Sequence, residues 1–160
     1  MAQNVDKIVI AGVAIATLVL SLVKLRRDDF ERARQLHESL TTGEVAEARH
    51  VVGSAFESAG AGDQVHLEQP EQIQAFFIVL WCFERIDVAR DTLLGRWSWL
   101  PDWINPRRLL DRGIQTHVTI YSNYLRRAHV NGVPLVDRLT GTPKDAGLRR
   151  LQDRIAPASK

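Results

Sequence analysis

From Ile8 to Val23 the chain carries sixteen consecutive uncharged residues, Ile-Val-Ile-Ala-Gly-Val-Ala-Ile-Ala-Thr-Leu-Val-Leu-Ser-Leu-Val, closed by Lys24-Leu25-Arg26-Arg27. So much contiguous apolar surface must be taken out of water, either into a protein core or into lipid. A spanning helix needs about 20 residues, with a lower limit near 17. If the Lys24 stem lies along the apolar surface with its ammonium in the headgroups, the span extends to Leu25 and suffices. A cleavable signal peptide is the competing reading, because Ala14-Ile-Ala16 has the small-x-small look of a cleavage site. That triplet sits inside the apolar run, however, and the strong positive charge follows the run instead of preceding it. The segment therefore reads as an uncleaved anchor, with Ile8, Gly12, Ala16 and Leu20 in the span and Lys24, Arg26 and Arg27 at its edge.

Charge sets the orientation. Lys24, Arg26, Arg27, Arg32 and Arg34 crowd the C-terminal flank, whereas the other side offers only Lys7 and the amino terminus, so the body is expected in the cytoplasm of a single-pass cell-membrane protein. Gly12 and Ala16 stand four apart, the small-xxx-small spacing through which two membrane helices approach closely, and a homodimer would use that face.

Downstream, apolar residues recur at helical spacing and no long period-2 strand appears. Between Val5 and Leu40 only Gly12 interrupts a helix former, which leaves open whether the anchor continues through Phe30, Ala33, His37 and Leu40. Thr41 and Glu44 have the spacing of a capping box opening a short helix to about Phe56, with Val45, Ala48, Val52 and Phe56 on one side. Residues 57–63, rich in Gly and Ala, read as a loop. Pro70 stands in the first turn of a central helix that runs to Leu94, with Gly95 as terminator. Its stretch from Ala75 to Phe83 is apolar all round, so it is expected to be buried on most sides, with Phe76, Phe77, Leu80 and Phe83 in the core. Asn105-Pro106 opens a further helix to about His129, with Leu110, Ile114, His117, Tyr121, Leu125 and Ala128 on one stripe. A last helix starts at 142–145 and stops at Pro157, its apolar face made by Leu148, Leu151 and Ile155. The expected fold is all-α: a single transmembrane helix at the N-terminus followed by a small helical bundle. Its parts are an anchor at 1–27, a helical domain at 28–156 and a tail at 157–160.

Chemistry is harder to read. The lone Cys82 lies in the apolar run, where a thiol is inert filler. Ala59-Gly-Ala-Gly62 lacks the strand and the Lys-Ser/Thr of a phosphate loop. Glu47 and His50 have the i, i+3 spacing of di-metal bundles, but the second copy that such sites need is missing. No metal, cofactor or catalytic residue is assigned. The net charge is +2, yet the chain before Gly95 holds 9 basic and 14 acidic residues and the rest 12 and 5, giving −5 and +7. Such halves either attract each other or present a basic surface to nucleic acid or anionic lipid. Glu84, Asp87 and Asp91 form an acidic edge on the central helix, for which arginines of the basic half such as Arg107, Arg108 or Arg112 are the expected partners. His117, on the apolar stripe, reads as a core histidine with a hydrogen-bond partner.

The least common local feature is Arg96-Trp-Ser-Trp-Leu-Pro-Asp-Trp-Ile-Asn-Pro-Arg-Arg108. Trp97, Trp99 and Trp103, flanked by Arg107 and Arg108, would suit an interfacial loop on anionic lipid; capping the helical core is the alternative. An N-terminal anchor, an Arg-rich juxtamembrane helix, Ala46-Glu-Ala-Arg-His50 and a later buried aromatic helix together resemble a group of short bacterial membrane-anchored helical proteins. That resemblance implies no activity. The function expected is a non-catalytic, membrane-tethered interaction module whose partners are the lipid bilayer and another protein. A nucleic-acid-binding regulator using Arg107, Arg108, Arg126, Arg127, Arg149 and Arg150 is the alternative, disfavoured because no helix-turn-helix spacing appears. An enzyme of unrecognised type is a third.

Overall fold

The computed structural model describes residues 2–60, 62–93, 105–139 and 146–155, with side chains from Gly12 onward. The chain divides into two compact units, Met1–Arg32 and Ala33–Lys160. Helix α1, Ala2–Glu38, is continuous, as the absence of proline allows, and at 1.5 Å per residue it is about 55 Å long. The question left open by the sequence is thus resolved: the apolar run and the Arg-rich stretch are one helix.

In the first unit, the described apolar side chains from Val13 to Leu25 are exposed, Leu20 at 70%. Thr17 and Ser21 donate their hydroxyls to the carbonyls of Val13 and Thr17, one turn back. The Arg26 guanidinium lies 5.5 Å from the Phe30 ring centroid. Among the described residues no helix is long and apolar enough to cross a membrane. The span expected over residues 8–25 begins with Ile8, whose side chain lies outside the described residues, and Gly12–Leu25 alone is shorter than a span requires.

The second unit is mostly helical, with α2 (Gly43–Glu57), α3 (Pro70–Thr92), α4 (Pro106–Arg127), α5 (Leu135–Leu139) and α6 (Ala146–Ile155). The capping box expected at Thr41 and Glu44 does not form. Thr41 and Thr42 instead donate their hydroxyls to the Glu38 carbonyl at the end of α1, and Gly43 takes the left-handed conformation, φ +58°, that turns the chain. Ala48, Val52 and Phe56, spaced by four, bury one face of α2, the helix that packs most extensively on α3. On α3, Phe76, Val79, Leu80, Phe83 and Ile86 are fully buried. That helix is not covered on every side, however: Phe77 is half-buried and Trp81 is 58% exposed.

On α4, Leu110, Ile114, Val118, Tyr121 and Leu125 face the core, and Asn105 caps the helix by accepting from the Arg107 amide. His117 lies at the edge of this face, and Val118 fills the core in its place. The helix ends at Arg127, earlier than expected, because Ala128–Val130 form a strand, β2. β2 pairs in parallel with β1 (Val65–His66) and antiparallel with β3 (Val133–Pro134) in the order β1-β2-β3. The connection from β2 to β3 is Asn131-Gly132, both at positive φ (53° and 75°), the pairing that a tight hairpin turn demands. These strands are only two or three residues long, so the all-α expectation holds for the body, with a small three-stranded sheet as an addition to it.

Helix α6 packs on α3 and α4. Gly147 makes this approach possible, since a Cβ there would stand 2.5 Å from Glu84 Cα and 2.9 Å from its amide nitrogen. The start expected for this last helix, 142–145, and the tail at 157–160 lie outside the described residues.

Candidate functional site

Three surfaces bear on function. The first is the ionic seam that joins the acidic and basic halves. Asp87, 3% exposed at its side chain, is approached by Arg150 Nε at 2.5 Å and Arg154 Nη1 at 3.3 Å. Arg150 also reaches Glu84 (3.0 Å), and Arg154 reaches Asp91 (2.8 Å). The acidic edge does pair with the basic half, as expected, and its ion pairs run to Arg150 and Arg154 of α6, while Asp91 also acts at longer range on Arg107. The bond to Asp87 is the main reason that the Arg150 guanidinium is held above its ordinary value.

One turn further along α3, Arg90 is 1% exposed and grips Asp111 with Nε at 2.6 Å and Nη2 at 2.9 Å, a bidentate pair between α3 and α4. Arg107 stands 3.9 Å from the same carboxylate, and burial first, then the Arg90 cation, depresses its guanidinium below the usual value. Arg127 donates to the carbonyls of Gly60 and Asp63 and covers the Phe56 ring. Of the arginines that a nucleic-acid reading would use, Arg107, Arg127 and Arg150 are therefore engaged within the fold. Trp97, Trp99 and Trp103 lie outside the described residues.

The second surface is an apolar groove between α2 and α3, about 610 Å³, lined by Glu44, Pro70, Ile73, Phe77, Ile78 and Trp81.

The third is a smaller, polar pocket of about 340 Å³ between α2 and α4, lined by Arg49, His50, Glu57, His117, Tyr121 and Tyr124 among others. Arg49 Nη1 donates to the Leu40 carbonyl at 2.7 Å, and Nη2 lies 3.2 Å from His117 Nδ1. The His37 ring is 6.3 Å from that of His117. Desolvation, then Arg49 and His37, lowers the His117 pKa below its ordinary 6.5. Burial dominates at Tyr121, whose hydroxyl is pushed up to about 12 against the opposing pull of Arg49. His117 thus has the hydrogen-bond partner expected of it, although it stands at a pocket wall. Arg49 was not singled out by sequence: it is one arginine among many, and nothing local marks it as half-buried between the Leu40 turn and α4.

Cys82 is buried and its thiol is pushed up by burial, with Ser39 Oγ 3.6 Å away, as suits inert filler. Glu47 and His50 are exposed, and no cluster of metal-ligating side chains occurs among the described residues. No family model matches the chain, and no curated protein or solved structure is similar to it.

Proposed function

We propose that the chain is a membrane-tethered helical interaction module without catalytic activity. The observation that carries this reading is the helix α1, whose described apolar side chains, from Val13 to Leu25, are exposed while its two hydroxyls are satisfied inside the helix. A segment with apolar side chains outward and backbone and hydroxyl groups bonded internally is matched to hydrocarbon. Ile8–Ala11 complete its length in sequence, Lys24, Arg26 and Arg27 mark the headgroup level, and the basic flank puts the body in the cytoplasm. In the body, the groove at Ile73, Ile78 and Trp81 is the apolar surface on which a protein partner would dock.

Flotation of the full chain with phosphatidylcholine vesicles tests the tether. A lysine at the centre of a spanning helix costs roughly 2.5–3.5 kcal/mol, so Ala16→Lys, at the midpoint of residues 8–25, should reduce the floating fraction by about two orders of magnitude in partition constant. Equal flotation of wild type and variant would refute the reading.

A further inference from the structure

Arg49 is a half-buried cation whose hydrogen-bonding partners are neutral. Its hydrogen bonds run to the Leu40 carbonyl and to the imidazole of His117, the neutral Tyr121 hydroxyl also lies within its reach, its Nε is buried without a partner, and none of the ion pairs among the described residues includes it. A guanidinium cannot escape this cost by losing its proton, so a buried one is ordinarily matched by an anion. The neighbouring groups do not supply one. Because a guanidinium only donates, His117 Nδ1 must accept, which puts the imidazole proton on Nε2. Tyr121, with its pKa raised by burial, keeps its O–H. Arg49, His117 and Tyr121 therefore bring together one fixed positive charge and two neutral groups that each retain a proton to donate.

These three side chains line one solvent-open pocket, with His50 beside them. The single carboxylate of the lining, Glu57, is exposed and follows Arg49 by eight residues, roughly 12 Å along the helix. It is too far to neutralise the guanidinium.

We propose that this pocket binds a phosphate group, with Arg49 as the charge anchor and His117 and Tyr121 as further donors. A tetrahedral phosphate offers more acceptor oxygens than a carboxylate and so satisfies several converging donors at once. The site is independent of the membrane reading, since it is built entirely from the second unit.

The test is a titration of the full chain with inorganic phosphate against chloride at constant ionic strength, followed through the imidazole NMR signals of His117, assigned by their loss in His117→Gln. A saturable shift below about 10 mM phosphate is expected, a weak but specific affinity. Arg49→Gln should abolish it. Because Arg49 also ties down the Leu40 carbonyl, Tyr121→Phe provides a second variant that leaves that tie in place, and it should weaken binding by about tenfold. Vesicles of phosphatidic acid in phosphatidylcholine, added to the phosphate complex, separate the sources: displacement identifies a lipid headgroup, and no displacement a soluble phosphate. Absence of a saturable shift, an equal response to acetate, or a response unchanged in both variants would overturn the proposal.

Discussion

Removing the carboxylate that holds Arg90 should damage the fold more than any comparable surface change. Asp111→Asn keeps the shape of the side chain but leaves a guanidinium that is 1% exposed without its counter-charge. Nη1 of Arg90 already lacks a partner, so the lost charge cannot be recovered by rearranging existing bonds. Arg107, which shares the Asp111 carboxylate at 3.9 Å, would then face Arg90 as an unopposed like charge. Breaking one side of a buried pair costs about 3–5 kcal/mol, against a total of about 5–15 kcal/mol for a domain of this size. With a melting shift of roughly 3–5 °C per kcal/mol, the full chain should lose 10–20 °C on this scale in a thermal melt followed by circular dichroism. Arg90→Met, which removes the charge and keeps the stem, should cost much less, and the double variant should resemble Arg90→Met alone. Such a cycle should return a coupling energy of at least about 2 kcal/mol. If Asp111→Asn costs under about 1 kcal/mol, or if the two single effects simply add, the pair does not hold α3 to α4 as described.

Two further outcomes follow from the packing and the pocket. Gly147→Ala places a methyl against the Glu84 backbone, so α6 must move off α3; a loss of about 1–3 kcal/mol is expected by chemical denaturation. The native state holds His117 neutral below its ordinary 6.5, whereas the unfolded chain takes up the proton as pH falls past that value. Stability should accordingly be complete above about pH 7 and decline as pH falls toward the lowered native value, and His117→Gln should remove that part of the decline in denaturant midpoints measured between about pH 7.5 and 5.5. An unchanged pH profile in the variant would place the titration elsewhere.

Helical periodicity and the proline signals were legible in the sequence, and Pro70 and Asn105-Pro106 place the starts of α3 and α4, while Leu94 and Gly95, the expected end of α3, lie outside the described residues. What sequence could not supply depends on which helices meet. The partners of Glu84, Asp87 and Asp91 are on α6 because that helix crosses α3 at Gly147, a contact between residues about 60 apart that no local pattern encodes. Thr41 and Glu44 had the spacing of a capping box, but with an αL glycine at 43 the hydroxyls of Thr41 and Thr42 bond back to the preceding helix. The hairpin had a visible signal in Asn131-Gly132, hidden because its strands are too short to show alternation. At the polar pocket, His117 was legible as a partnered histidine, whereas Arg49 acquired its role only from the approach of α2 to α4.

The central claim is that the continuous apolar helix α1 holds this chain in a bilayer, and alkaline carbonate extraction of membranes containing the full chain tests it most directly. The chain is expected to stay in the membrane pellet and to be released only by detergent. Release into the carbonate supernatant would contradict it and leave α1 as a helix that covers its apolar surface against protein.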